Sequence, residues 1–126
     1  MAISNAALEK LIREIESQAA AAEQQISLSR AQVTSKQREI RLLKLTLEEL
    51  SGVSQKTPTY EGVGKMFVSV PPPKLCEKLR SQVKTLEGDV ESLGKRLVYL
   101  ETTRKNSREH IDKMLKQAPV KGLGAN

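Results

Sequence analysis

The sequence predicts a mainly α chain in which two long helices form an antiparallel coiled coil and are joined by a short β-hairpin. Three observations lead there. Apolar residues recur at alternating steps of three and four along two long stretches. The connector between them, about two dozen residues, holds two runs of strand-forming types. The 126 residues are 29% charged and only 2% aromatic, with no Trp, so the chain lacks the large side chains on which a compact core is built.

The first stripe runs through Leu8, Ile12, Ile15, Ala19, Ala22, Ile26, Ser29, Val33, Lys36, Ile40, Leu43, Leu47 and Leu50, and eleven of these thirteen positions are apolar. A repeat of 3.5 residues held over so many turns marks a coiled-coil seam. Ser4 or Asn5 can cap the free amides of the first turn. Ser51-Gly52 ends the helix, with Gly52 suited to a left-handed C′ position. The helix is assigned to residues 5–51, a rod of about 70 Å at 1.5 Å per residue. Ala19 to Ala22 would let a partner helix approach closely.

In the connector, Thr59-Tyr60-Glu61 and Lys65-Met66-Phe67-Val68-Ser69-Val70 are strand-like, and Gly62-Val63-Gly64 turns the chain between them. The hairpin region is placed at residues 57–71. Met66, Val68 and Val70 point to one side and Phe67 and Ser69 to the other. Two isolated strands are marginal in water, and their outer edges keep unpaired amides and carbonyls. Such a hairpin is expected to pair with strands of other chains.

The second stripe steps through Cys76, Leu79, Val83, Leu86, Val90, Leu93, Leu97, Leu100, Arg104, Ser107, Ile111, Met114 and Ala118, again with eleven of thirteen apolar. Pro71-Pro72-Pro73 fix its start near residue 73, since proline is tolerated only in a first turn. Pro119 ends the helix, assigned to 73–118, and 119–126 reads as a flexible tail. Gly88 and Gly94 interrupt it as surface glycines. Ser29, Lys36, Arg104 and Ser107 break the stripes and set register at a cost in stability, so Leu at these positions is expected to stabilise the helices. The whole chain, 1–126, is read as a single domain.

The formal charge of +6 lies entirely in residues 51–126, which carry fourteen basic and eight acidic groups. Cys76 is the sole cysteine and His110 the sole histidine, so no internal disulfide can form, and neither a metal role for His110 nor a nucleophilic one for Cys76 is expected. Gly62-Val63-Gly64-Lys65 lacks the remainder of a phosphate-binding loop. No enzyme, cofactor or metal is expected. The start of the sequence lacks a signal-peptide pattern and no apolar run is long enough to span a bilayer, which points to the cytoplasm and to no membrane partner.

The stretch Tyr60-Glu61-Gly62-Val63-Gly64-Lys65-Met66-Phe67-Val68, set between two long heptad arms, resembles the β-type subunits of prefoldin. The likeness covers residues 5–117. It implies a subunit of a hetero-hexameric, ATP-independent molecular chaperone of α-type and β-type subunits. Such a particle binds unfolded polypeptides, actin and tubulin above all, and passes them to the cytosolic chaperonin. Tyr60, Gly62, Val63, Gly64, Met66, Phe67, Val68 and Val70 would then serve assembly. Ile3, Leu8, Leu11, Ile12, Ile111, Met114 and Leu115, at the far end of an antiparallel pair, would meet the client. The plainer role for these seven is to close the seam. Two other readings stay open: a generic coiled-coil adaptor, and a helical arm that binds nucleic acid through Arg104, Lys105, Arg108, Lys113 and Lys116. Interspersed acids and missing aromatics argue against specific nucleic-acid binding.

Overall fold

The structure, a computed structural model, describes residues 4–117; Ile3, Ala118 and the expected tail lie outside the described residues. Four elements occur in chain order: α1 (Asn5–Ser51), β1 (Thr59–Val63), β2 (Met66–Val70) and α2 (Pro72–Gln117). The chain is therefore two long helices joined by a two-stranded antiparallel hairpin.

Local chemistry explains each boundary. The Ser4 hydroxyl accepts a hydrogen bond from the Ala7 amide at 3.2 Å, so Ser4, not Asn5, is the N-cap of α1. At the other end Gly52 does not take the left-handed C′ conformation expected of it; the one glycine with positive φ among the described residues is Gly64. Instead the last turn tightens. The amides of Gly52 and Val53 reach back three residues to the carbonyls of Glu49 and Leu50, at 3.2 and 3.1 Å. These bonds satisfy carbonyls that a left-handed cap would otherwise have met. Helix α2 starts at Pro72, one residue before the expected position. Pro72 and Pro73 occupy first-turn sites whose amides would lack partners anyway, and the first helical bond runs from the Leu75 amide to the Pro71 carbonyl at 3.0 Å.

The hairpin pairs Thr59 with Val70, Tyr60 with Ser69, Glu61 with Val68, Gly62 with Phe67 and Val63 with Met66. Its turn is Gly64-Lys65 rather than Gly62-Val63-Gly64, so Gly62 and Val63 belong to β1. Gly64 has φ of 62°, and no non-glycine residue among those described has positive φ. A two-residue loop with only its first residue left-handed is the II′ turn, whose twist matches that of the strands it joins.

The chain packs as two compact units. One combines the described parts of Met1–Ala31 and Lys95–Asn126. Here Leu8, Ile15, Ala22, Ile26 and Ser29 of α1 and Ser107 of α2 are buried. The rim is tied by Arg30 to Glu101 (2.7 Å), by Arg96 donating to the Gln25 side-chain oxygen (3.1 Å), and by Glu23 facing Arg104 (3.9 Å) and Arg108 (4.0 Å). The Glu23 contacts bring Ser107 level with Ala19–Ala22, where small residues permit close approach.

The other unit, Gln32–Gly94, holds the rest of α1, the hairpin and the beginning of α2. Leu75 and Val83 are buried, while Val33, Ile40, Leu43, Leu47, Leu50, Leu79, Leu86, Val90 and Leu93 are half-buried. Lys36 meets Asp89 at 3.2 Å and Lys44 meets Glu87 at 3.3 Å across the pair. In both units each seam side chain has cover from a single facing helix. Buried positions such as Ile26 gain close to the ~1.5–3 kcal/mol of full burial, the half-buried ones gain less, and the number of seam positions makes up the sum.

Candidate functional site

Strand alternation and register sort the hairpin into two faces. Thr59, Glu61, Val63, Met66, Val68 and Val70 share one; Tyr60, Gly62, Phe67 and Ser69 share the other. On the second face Gly62 stands opposite Phe67, and a Cβ there would meet Phe67 Cε1 at 3.8 Å, an ordinary van der Waals contact. The Thr59 hydroxyl donates to the Val70 carbonyl and closes the base of the hairpin. Glu61 forms an ion pair with Lys78 in the second turn of α2, which fastens the first face to that helix.

Fastening does not mean cover. Phe67 is 77% exposed and Met66 72%, and Tyr60, Val63 and Val68 are exposed as well. Gly62 and Gly64 are also open to solvent, and Val70, at the base, is half-buried. The eight hairpin positions thus form one contiguous element, most of which its own chain leaves bare. The aromatic face borders a groove of about 650 Å³ lined by Thr46, Leu50, Pro58, Thr59, Tyr60, Phe67 and Leu75. Two strands offer two unpaired edges, so backbone donors and acceptors stand beside this apolar surface.

The residues expected to meet the client divide by position on their helices. Leu8 is buried in the seam, and Ile12, Ile111 and Met114 are half-buried along it. Leu11 and Leu115 flank the seam and are exposed. The Glu23–Arg104 and Glu23–Arg108 contacts, extended along the same pair of helices, bring Leu11 and Ile12 level with Met114 and Leu115. Ile3 lies outside the described residues.

Several exposed apolar residues escape a search for seams and strands: Leu28, Leu42 and Leu45 on α1, and Val98 and Tyr99 on α2. The signal that finds them is an apolar residue out of phase with the heptad stripe, as in Leu42-Leu43-Lys44-Leu45, where only Leu43 is in phase. Among the residues weighed for phosphate binding, Arg104 and Arg108 lean on Glu23 instead. Cys76 is a half-buried free thiol and His110 is exposed. Among the described residues no group of three or more His, Cys, Asp or Glu is placed to hold a metal ion, and no helix is long and apolar enough to cross a membrane.

Comparison with known proteins agrees with this geometry. A family profile described as prefoldin subunit matches residues 6–118. The probable prefoldin subunit 1 of Schizosaccharomyces pombe is 28% identical over 107 residues, covering 85% of this chain and 96% of that protein. Prefoldin subunit 1 of Homo sapiens is 27% identical over 108 residues, covering 86% and 88%. The crystal structure of the prefoldin beta subunit from Thermococcus strain KS-1 superposes with a TM-score of 0.76 over 86% of this chain and 95% of that one. At 23% identity, that likeness speaks to fold.

Proposed function

The chain belongs to the prefoldin subunit family, whose members are chaperone subunits working with other prefoldin subunits, and from this we propose that it is a β-type subunit of a cytoplasmic hetero-hexamer that holds unfolded polypeptides without ATP. The clients proposed are actin and tubulin above all, released onward to the cytosolic chaperonin. One observation carries the reading: a two-stranded hairpin whose Met66 and Phe67 are more than two-thirds exposed. Two strands do not hold such a surface in water on their own account. Strands from sister subunits would pair its edges and take Tyr60, Val63, Met66, Phe67 and Val68 out of solvent.

In this reading the far end does the holding. Leu11 and Leu115 supply apolar surface beside the seam, and Ile12, Ile111 and Met114 join when the helix ends fray, with Met adapting to irregular clients. Each contact is weak, and six arms acting together hold a chain through high effective concentration. No residue is asked to do chemistry.

The experiment is co-expression with α-type and other β-type subunits, followed by native mass spectrometry and a client-aggregation assay without nucleotide. A six-chain particle of fixed copy number that keeps denatured actin soluble is the expected result. A simple dimer that takes up no sister subunits would mark the chain as a coiled-coil adaptor. Loss of actin protection unless ATP is added would overturn the ATP-independent part alone.

A further inference from the structure

Within Gln32–Gly94 every exposed large apolar side chain belongs either to the hairpin or to the last ten residues of α1: Tyr60, Val63, Met66, Phe67 and Val68 on the one, Leu42 and Leu45 on the other. Leu42 is 65% exposed and Leu45 52%. Neither is a seam position, so pairing with α2 gives no reason for them. Their place is adjacent to the groove beside the aromatic face. Thr46, which lines that groove, lies one turn beyond Leu42, and its hydroxyl donates to the Leu42 carbonyl at 2.9 Å. Thr46 therefore brings no free donor to the surface; Leu42 continues its row one turn along α1, and Leu45 neighbours Leu42 at the i,i+3 spacing. The other face of the hairpin borders a different surface. The depression there is lined by Val68, Val70 and Pro71 together with Lys74, Glu77 and Lys78 of α2, with the Glu61–Lys78 ion pair across it. The groove on the α1 side has no charged residue in its lining, whereas the depression on the α2 side holds four, Glu61, Lys74, Glu77 and Lys78.

We infer that the surface by which this chain meets a sister subunit continues off the hairpin and down α1 to Leu42 and Leu45. Its occupant is the apolar strand face of a neighbouring prefoldin subunit's hairpin, seated on the α1 side and not on the α2 side. The inference rests on the proposed hexamer and adds a direction to it. Continuity with the bare hairpin selects this occupant: a strand that pairs an edge of the sheet lays its own side chains along the groove, within reach of Thr46 and Leu42. On the α2 side the same strand would have to desolvate Lys74, Glu77 and the Glu61–Lys78 pair.

The test is a competition. Wild-type chain and the double variant Leu42→Gln/Leu45→Gln, mass-tagged, are co-expressed with the same sister subunits, and their shares of the particle are read by native mass spectrometry. Gln is nearly as good a helix former as Leu, and both sites lie outside the seam, so the variant keeps its helicity and melting profile. It is expected to be under-represented in the particle by about tenfold or more. Leu28→Gln, off the strip, is expected to enter in equal share. Thr46→Arg, which fills the groove, should reproduce the deficit. Equal incorporation of the double variant overturns the inference and leaves the hexamer standing. So does normal assembly with lost client protection, which would give the strip to the client. So does a wild-type chain that self-associates through the strip while both forms assemble alike. A wild-type chain that enters no particle overturns the parent reading, and this one with it.

Discussion

At the scale of single residues, Ser29 shows how a polar seam position differs from the expectation raised by its type. A heptad stripe interrupted by Ser invites replacement by Leu. The site, however, is only 2% exposed, the most enclosed in the described chain, and no room is left for three further carbons. Ser29→Leu is therefore expected to destabilise the isolated chain by about 1–3 kcal/mol through overpacking, while Ser29→Ala is neutral or mildly stabilising. Thermal unfolding of both variants at one protein concentration checks the sign. Gly64 has the opposite constraint. With φ of 62° it holds a backbone state that costs an L-residue roughly 1–2 kcal/mol, although no neighbour would touch an added Cβ. Gly64→Ala should thus weaken the hairpin by that amount, seen as faster amide exchange in β1 and β2, without disturbing the helix seam. Neither result could be read from residue type alone, because enclosure and φ are properties of the folded surroundings.

At the scale of elements, the heptad stripes were legible because their information is redundant. Every stripe position within the described residues is buried or half-buried, including Lys36 and Arg104. Those two keep their place by reaching across: Lys36 to Asp89, Arg104 to Glu23. Half-exposed pairs of this kind add little to stability, about 0–1 kcal/mol, but they give each buried-side cation an acidic partner across the seam. The glycines of α2 obey the same logic from the other side. A Cβ at Gly88 or Gly94 would meet nothing within 4 Å, so replacement by Ala should stabilise α2 by about 1 kcal/mol at each site, read from the shift in thermal unfolding. Boundaries were less legible than stripes. The turn moved to Gly64-Lys65 because Gly62 and Gly64 are equally able to adopt positive φ, and only strand register chooses between them. The cap at Gly52 failed for a related reason: carbonyls at a helix end can be met by a left-handed residue or by a tightened last turn, and the sequence permits both.

At the scale of the whole molecule, the proposed functions fall on residues that the chain's own packing leaves over. The bare hairpin was foreseeable, since two strands alone cannot cover themselves, and its nonapeptide carried the family resemblance. The strip at Leu42 and Leu45 was not, because a leucine beside a leucine stripe looks like part of it until the helix phase is fixed. For client holding, the double variant Leu11→Gln/Leu115→Gln separates assembly from capture. Both side chains are exposed and flank the seam. The particle is expected to form with unchanged copy number, while the concentration needed to suppress actin aggregation rises by roughly two- to fivefold, this subunit being one of several contributors. Native mass and light scattering give the two readouts separately.

The two joints of the hairpin have unequal consequences. Residues 52–58 separate α1 from β1, whereas a single residue, Pro71, separates β2 from α2, and Pro72 and Pro73 stiffen the first turn of that helix. A displacement of α2 therefore passes to the strand ladder through one proline, whereas the same displacement of α1 has the whole of residues 52–58 over which to spread. In the proposed holder, load placed on α2 by a captured chain would pass to the neighbouring subunits more directly than load placed on α1.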